Sequence, residues 1–309
     1  LKLVEHEALV AFAKEHSIDL TVVGPDDALA AGIVDRFAAE GLRIFGPVQA
    51  AARLESSKVF AKEFMQRHGI PTAAFETFTD AAQAHAYVDR QGAPIVVKAD
   101  GLAAGKGVVV AMTAAQAHEA IDFMLLDNSL GVVHNTGADG AALPRVVIEE
   151  FLQGEEASFI VMCDGKNVVA LATSQDHKRL LDKDEGPNTG GMGAYSPAPV
   201  VSAQVHARAM REVIMPTIKG MEKDGIPYTG FLYAGLMIDD QGHPKTLEFN
   251  CRMGDPETQA IMMRLKSDFV EVMLAATSEK LDAVELVWDR RTALGVVMAA
   301  AGYPESPRK

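Results

Sequence analysis

The residues best suited to bind phosphate groups lie in one glycine-rich stretch, Val96 to Val110, between two runs of β-branched residues. It holds three glycines and two lysines: Gly101, Gly105, Gly107, Lys98 and Lys106. Glycine lets a backbone approach a ligand closely, and lysines beside backbone N–H groups attract phosphate oxygens. A P-loop is excluded, because Gly101 and Gly105 enclose one residue too few and a strand follows where a helix should. We predict the tip of a β-hairpin laid over phosphates; an ordinary turn with solvated lysines is the alternative.

A possible metal site lies at the end of a strand near the carboxyl-terminal part of the chain. Glu248 and Asn250 stand two residues apart, so strand alternation points both side chains to one face. Two oxygen donors of this kind suit a hard divalent cation such as Mg²⁺, with phosphates and water completing its octahedron. The alternative is a polar strand end whose side chains are solvated.

Two further segments carry groups that could bind a nucleotide or a substrate. Glu149, Glu150 and Glu156 flank the apolar pair Phe151-Leu152. A purine could stack on such a segment while a carboxylate takes ribose hydroxyls, although an edge strand entering an acidic turn explains it equally well. The run from Asp176 through His177 and Lys178 to Arg179 could bind an anion or transfer a proton, or be a solvated loop.

Arg252 follows the proposed metal ligands closely and could stabilise charge that develops on a transferring group. A structural salt bridge is its alternative role. The chain has no Gly-x-Ser-x-Gly nucleophile motif and no Cys/His spacing typical of zinc. Cys251 lacks an obvious base, and we interpret it as a packing residue.

Alternating helices and strands must position these groups, which predicts an α/β chain that starts with part of a parallel sheet. Apolar periodicity predicts helices over 3–16, 28–40, 49–68, 80–91, 113–126, 202–224 and 258–277. Strands are predicted over 19–25, 43–45, 146–152, 157–163, 167–173, 232–239, 245–248 and 293–299. Residues 127–144 read as an exposed connection, and 174–199 as a long irregular section of the kind that is usually functional. No internal repeat is expected.

Composition limits the class of protein. At 309 residues the chain exceeds the usual size of a single core. A net charge of −13 argues against nucleic-acid or anionic-membrane partners, unless the few cations gather in one cleft and bind a nucleotide there. Two cysteines imply no disulfide framework, and no apolar run reaches membrane-spanning length. We therefore expect a cytoplasmic location.

Taken together, these segments resemble the ATP-grasp superfamily and, within it, the phosphoribosylamine–glycine ligase (glycinamide ribonucleotide synthetase) family. The resemblance rests on Ile95–Val110, Val147–Phe159, Thr173–Pro199, Tyr228–Met237 and Leu247–Thr258, in the expected order. Its most specific strings are Ser174 to Arg179, Pro187 to Pro197 and Glu248 to Glu257.

The resemblance implies a fold, a ligand and roles for individual residues. The fold is two α/β lobes gripping ATP, with a small lid that carries the hairpin. Lys58 and Lys98 are implied to reach the ATP phosphates, with Gly101 to Gly107, including Gly105 and Lys106, covering them. Glu149, Glu150, Phe151 and Leu152 are implied to line the adenine, Glu156 to bind the ribose, and Glu248 with Asn250 to hold Mg²⁺ or Mn²⁺. Asp176, His177, Lys178 and Asp255 are weaker candidates for the substrate pocket.

The implied reaction joins glycine to 5-phosphoribosylamine in purine biosynthesis, with ATP cleaved to ADP and phosphate through glycyl phosphate. Lys98 and Arg252 are the catalytic candidates. The implied domains are a partial N-terminal α/β domain (1–57), an ATP-grasp domain (58–278, lid about 73–153) and the start of a C-terminal domain (279–309). We expect a monomer.

Several departures from the family pattern stand out. The N-terminal glycine-rich segment and most of the C-terminal domain are absent, so we expect the chain to be a fragment. Asp26 stands where relatives carry Glu, and Gly131 to Pro144 reads as a lid insertion. Two rival functions are another ATP-grasp carboxylate–amine ligase and a non-catalytic ATP sensor. The Asp176–Pro197 section favours the specific ligase over the first, and the intact charged residues favour it over the second.

Overall fold

The computed structural model describes residues 1–102, 107–127, 144–304 and 306–307. The helices are α1 His6–Glu15, α2 Asp26–Ala30, α3 Ile33–Ala39, α4 Gln49–Ser56, α5 Lys58–Arg67, α6 Ala81–Gln91, α7 Ala114–Leu125, α8 Ala203–Arg208, α9 Met215–Lys223, α10 Glu257–Met262 and α11 Phe269–Ala276. The strands are β1 Thr21–Val22, β2 Ile44–Phe45, β3 Phe75–Phe78, β4 Ile95–Ala99, β5 Val108–Ala111, β6 Val146–Glu150, β7 Glu155–Asp164, β8 Val168–Ala170, β9 Gln175–Asp176, β10 Arg179–Leu181, β11 Glu185–Asn188, β12 Gly193–Ser196, β13 Thr229–Ile238, β14 Pro244–Asn250 and β15 Ala293–Val296. Among the described residues, no helix has both the length and the apolar character needed to cross a membrane.

The N-terminal part is a small parallel α/β unit, as the sequence predicts. Strand β1 pairs in parallel with β2, and helices α2 and α3 lie between them in the chain. Apolar residues of these helices join the largest core cluster together with strand β13 and helices α8 and α9. The unit therefore packs directly on the central sheet.

The glycine-rich stretch belongs to a four-stranded antiparallel sheet in the order β3-β6-β4-β5. We call it the lid sheet, because it carries the hairpin. Strands β4 and β5 form the predicted hairpin, which the bond from the Ala99 N–H to the Gly107 carbonyl extends at 2.8 Å. On β4, Val97 packs into the core beneath α6 and α7, whereas its neighbour Lys98 faces the opposite side. Both helices begin at a side-chain cap, Asp80 and Thr113 respectively, as predicted.

A second four-stranded antiparallel sheet, in the order β14-β13-β7-β8, forms the centre of the molecule. Its strands β7 and β13 are buried on both faces, with one core cluster on each side. Strand β14 lies at the edge of this sheet, and its Leu247 carbonyl accepts a hydrogen bond from Lys98 of β4.

Four predicted elements differ from the structure. The helix predicted over 28–40 is two short helices, α2 and α3, which are separated at Gly32, whose φ is +85°. The helix predicted over 49–68 is two helices, because Ser57 adopts an extended backbone and its side chain caps α5 by accepting from the Phe60 N–H. The helix predicted over 258–277 is also two, since Asp268 caps a separate α11. The section 174–199 is not irregular: it contains four short strands (β9 to β12), two of which pair with each other as a hairpin.

The predicted helix 202–224 is continuous but changes its winding. Residues Ala209–Ile214 form a π-helical segment between α8 and α9. Pro216 lies in the first turn of α9, where its missing N–H removes a donor from the helical ladder.

Candidate functional site

A cleft of 1290 Å³ lies between the lid sheet and the central sheet. Its wall includes residues from the N-terminal unit, α5, β4, β6, the 176–190 section and β14. Most of the sequence-predicted site residues line it: Lys58, Lys98, Gly101, Gly107, Glu149, Glu150, Phe151, Leu152, Glu156, Asp176, Lys178, Glu248, Asn250, Arg252 and Asp255. Gly105, Lys106 and the section from Gly131 to position 143 lie outside the described residues.

Lys98 is held in the cleft wall by two acceptors. Its Nζ lies 3.1 Å from Glu149 Oε2 and donates to the Leu247 carbonyl at 3.1 Å. Lys62 approaches the same carboxylate oxygen at 2.9 Å, and all three charged residues are buried. The buried carboxylate thus orders two lysines that come from different elements, β4 and α5.

The structure brings in Lys62, which the sequence analysis did not include in the site. Burial lowers the pKa of Lys62 to about 8, against the opposing attraction of Glu149. Its spacing in the sequence could have indicated this role, because Lys62 follows Lys58 by four residues and both therefore lie on one helix face.

The base of the hairpin is tied to the start of α5. Lys58 Nζ donates to the Gly101 carbonyl at 3.0 Å. Buried Asp100 accepts from the Ser57 hydroxyl at 3.0 Å and from the Val59 N–H at 3.2 Å, and it forms an ion pair with Arg145. Gly101 has φ +141°, a backbone conformation that side chains with Cβ atoms rarely adopt. The residues on either side of the loop are therefore firmly positioned.

Glu248 and Asn250 both line the cleft from β14, as strand alternation predicts. Burial opposes the ionisation of Glu248, but surrounding positive charges outweigh it and lower its pKa. Those charges are Lys178, Lys98, Lys58 and Arg252. The carboxylate is therefore ionised and, with the Asn250 amide oxygen, forms an oxygen donor set that fits a hard divalent cation.

Arg252 reaches the cleft while its Nε lies 3.2 Å from Glu55 Oε1. Glu55 also accepts from the Cys251 N–H at 2.7 Å, so it fixes the turn that follows β14. Burial raises the pKa of Glu55 to about 7, despite the opposing effect of Arg252. Glu55 is a second residue of the site wall that the sequence analysis missed, because nothing in the local sequence of α4 distinguishes it.

The 176–190 section contributes a second group of charges. Lys178 Nζ lies 3.3 Å from Glu156 Oε2 and 3.9 Å from Asp176 Oδ2. Burial raises the pKa of Asp176 to about 6, although Lys178 opposes the shift. His177 is not among the residues that line the cleft: it is exposed, and its ring centroid lies 5.3 Å from that of Tyr195.

Glu257 is a further buried acid that the sequence analysis did not single out. Its Oε1 accepts from the Ser158 and Tyr233 hydroxyls, each at 2.9 Å, and the residue lines the cleft. It lies two residues after Asp255 at the start of α10. These bonds attach the turn carrying Arg252 and Asp255 to the central sheet.

Comparison with protein families identifies the chain. A model described as "Phosphoribosylglycinamide synthetase, ATP-grasp (A) domain" matches residues 56–258, and one described as "Phosphoribosylglycinamide synthetase, N domain" matches residues 1–55. The chain belongs to the phosphoribosylglycinamide synthetase family. Its members named phosphoribosylamine–glycine ligase are ATP-grasp ligases, so the family and fold class expected from the sequence are confirmed.

Individual relatives agree with this assignment. The phosphoribosylamine–glycine ligase of Ralstonia nicotianae is 71% identical over 307 residues, which cover 99% of this chain and 71% of that protein. A crystal structure of phosphoribosylamine–glycine ligase from Thermotoga maritima matches with a TM-score of 0.77 at 40% identity, covering 88% of this chain and 66% of that one. A β-γ-ATP complex of biotin carboxylase from Campylobacter jejuni matches with a TM-score of 0.72 at 18% identity over 96% of this chain and 63% of its own, which supports the fold alone.

Proposed function

We propose that the protein joins glycine to 5-phosphoribosylamine, cleaving ATP to ADP and phosphate and giving glycinamide ribonucleotide for purine biosynthesis. The observation that carries the proposal is the convergence of four cationic side chains on one half-buried, ionised carboxylate, Glu248, in a cleft between two sheets. Such a cleft suits a polyphosphate accompanied by a metal ion. Family membership, at 71% identity to a ligase of this name, supplies the specific substrates.

ATP phosphates bind at the cationic end of the cleft. Lys58 and Lys98 neutralise phosphate charge, with Gly101, Gly105, Lys106 and Gly107 of the hairpin over them. Lys98 is already oriented by Glu149 and Leu247, which lowers the entropy that ordering it on binding would cost. Lys62 contributes by sharing that carboxylate.

The adenine binds along Glu149 to Leu152. Glu149 Oε1 is buried and has no hydrogen-bond partner among the described residues, which leaves an acceptor suited to the adenine amino group. Phe151 and Leu152 supply apolar surface beside it. Glu156 binds the ribose hydroxyls, which replace Lys178 as its partner.

Glu248 and Asn250 would hold Mg²⁺ or Mn²⁺, which would neutralise negative charge on the ATP phosphates. These two residues fit such an ion because both present an oxygen donor on one face of β14 and because the Glu248 carboxylate is ionised.

The chain itself performs the reaction by positioning and charge neutralisation. A carboxylate oxygen of glycine attacks the γ-phosphorus, ADP leaves, and the amine of phosphoribosylamine then attacks the glycyl carbonyl and expels phosphate. Lys98 and Arg252 face the charge that builds up on the transferring phosphoryl group. No protein nucleophile takes part, and closure of the hairpin lid excludes water that would hydrolyse glycyl phosphate.

The two smaller substrates bind near the 176–190 section and the turn after β14. Asp176, Lys178 and Asp255 line this part of the cleft, and His177 is the weaker candidate because it is exposed. Lys178 offers the positive charge that a carboxylate or phosphate needs, while Asp176 and Asp255 offer acceptors for an amine.

We further propose the division into 1–57, 58–278 and 279–309, with a lid over about 73–153. A monomer in the cytoplasm is part of the same proposal. Its support is the acidic surface and two buried free thiols, Cys163 and Cys251.

The proposal is tested by measuring ADP release from ATP with Mg²⁺, omitting one substrate at a time. We expect ADP release to require both glycine and phosphoribosylamine. Release with another carboxylate or amine, and none with this pair, would make the protein a different ligase of the fold. Tight ATP binding without turnover would make it a sensor.

A further inference from the structure

Helices α6 and α7 carry the same local pattern, Ala-Ala-Gln-Ala-His-x-x-x-Asp, at residues 81–89 and 114–122. This short repeat contradicts the expectation of no internal repeat. In the structure the two copies face each other. His85 Nε2 lies 2.9 Å from Asp122 Oδ1, and His118 Nε2 lies 3.0 Å from Asp89 Oδ1. Each histidine thus pairs with the aspartate of the other helix, as an antiparallel arrangement requires.

The other ring nitrogens of the two histidines point at each other. His85 Nδ1 and His118 Nδ1 are 2.5 Å apart, and the ring centroids are 4.6 Å apart. Each Nε2 lies beside an aspartate oxygen that accepts a hydrogen bond, so each Nε2 carries a ring proton. A neutral imidazole then has a bare lone pair on Nδ1. Two such lone pairs at this distance repel, unless one ring is protonated and donates to the other or a metal cation lies between them.

We propose that His85 and His118 bind a borderline divalent cation of the Zn²⁺ type through their Nδ1 atoms. Imidazole nitrogen is a preferred ligand of such ions. Histidines that bind metals commonly donate their second N–H to a carboxylate, which fixes the ring and its tautomer. Asp89 and Asp122 already occupy that position for both rings.

The geometry requires only a small adjustment. Two metal–nitrogen bonds of about 2.0–2.1 Å at a tetrahedral angle separate the nitrogens by about 3.3 Å, so the rings must open by less than an ångström. About a third of each histidine side chain is exposed (28% and 30%), which leaves room for water to complete the coordination. The described residues contain no group of three or more protein ligands, so the ion is held by two nitrogens and water.

This site is separate from the catalytic cleft. Helices α6 and α7 cover the face of the lid sheet that carries Val97, whereas Lys98 and Glu149 face the cleft on the other side. The donor atoms differ as well: nitrogen here, and oxygen at Glu248 and Asn250. A bound ion cross-links two helices of the lid without entering the reaction.

Zinc titration of the whole protein by calorimetry, with excess Mg²⁺ present, tests the proposal. We expect one equivalent of Zn²⁺ to bind, and His85→Ala and His118→Ala each to weaken that binding at least tenfold. His243→Ala is the matched control, because His243 also faces an aspartate (Nδ1 to Asp239 Oδ2, 3.2 Å) but belongs to a surface turn. The control should bind Zn²⁺ as the unmodified protein does.

Two further measurements separate a metal site from a merely structural contact. Asp89→Asn and Asp122→Asn should each weaken zinc binding by about tenfold or more while the helices remain folded. In imidazole ¹⁵N spectra, zinc should shift the Nδ1 signals of both histidines and leave both Nε2 atoms protonated. Zinc binding that survives both histidine substitutions would overturn the proposal, as would a shared proton between the rings with no zinc-induced shift.

Discussion

Lys98 is fixed before any ligand arrives, because Glu149 and the Leu247 carbonyl hold its ammonium group on the cleft wall. Replacing it by Met removes a charge-assisted contact to phosphate and leaves Glu149 paired with Lys62 alone. We expect Lys98→Met to raise KM for ATP at least tenfold. Steady-state kinetics at varied ATP measures this. Lys166→Met, which removes an exposed lysine paired with Glu279, is the control and should leave KM unchanged; equal KM values for both variants would exclude Lys98 from the phosphate site.

Glu248 is the carboxylate on which the positive charges of the cleft converge. Removing it takes away the charged metal ligand and leaves the cations to repel one another. We expect Glu248→Ala to lower kcat at least a thousandfold and to abolish Mn²⁺ binding, followed by electron paramagnetic resonance in the presence of ATP. Glu222→Ala, on the exposed face of α9, should change neither quantity. Normal Mn²⁺ binding by Glu248→Ala would refute the metal assignment.

Glu55 makes stability depend on pH, because its pKa is about 7 in the folded protein and 4.5 is its ordinary value. Between these values the folded state binds more protons than the unfolded state, so the free energy of unfolding falls as pH rises. The loss is about 3 kcal/mol at most. Glu55→Gln has no carboxyl group to titrate, so its free energy of unfolding does not fall with pH through this residue. In urea unfolding, the free energy of unfolding of the variant relative to that of the unmodified protein should therefore increase from pH 5 to pH 8. A difference that is the same at both pH values would contradict the assignment.

At the scale of elements, Ser57 lies at the break between α4 and α5 and connects α5 to the base of the hairpin. The Ser57 side chain accepts from the Phe60 N–H at 3.2 Å and donates to Asp100 at 3.0 Å. Ser57→Ala loses a helix cap and a buried hydrogen bond, at a cost of about 2 kcal/mol. Because Asp100 lies at the base of the hairpin, we also expect a higher KM for ATP.

Ser202→Ala is the matched control for Ser57→Ala, since Ser202 caps α8 by accepting from the Val205 N–H at 3.2 Å. Thermal unfolding and ATP kinetics of both variants separate the two effects. The control should lose only the stability of a cap. If Ser57→Ala loses no more stability than the control and keeps its KM, the link between α5 and the hairpin is without consequence.

Local patterns predicted the elements whose cause is local. The β-branched runs around the glycines formed a hairpin, and Asp80 and Thr113 cap the helices expected to start there. The break at Ser57 was missed because apolar periodicity continues through it, while the partner that stabilises it, Asp100, lies 43 residues away. Lys62 was missed for the same reason: its role depends on Glu149, which only the folded chain brings to it.

At the scale of the molecule, positive side chains gather in one cleft although the whole chain is acidic. An acidic chain of net charge −13 can bind a nucleotide if its cations gather in one cleft. Four separate parts of the chain supply them: α5, the lid sheet, the segment after β9 and the turn after β14. The motifs along the chain predicted which cationic side chains belong to the cleft. They did not predict the distances between those side chains, which depend on how the two sheets pack.

The central claim is that glycine is activated by transfer of the γ-phosphoryl group to its carboxylate. Glycine labelled with ¹⁸O in both carboxylate oxygens, incubated with ATP, Mg²⁺ and phosphoribosylamine, tests this most directly, because the bridging oxygen leaves with the phosphate. Mass spectrometry of the inorganic phosphate should find one ¹⁸O atom per molecule released. Phosphate released without any ¹⁸O would contradict the account.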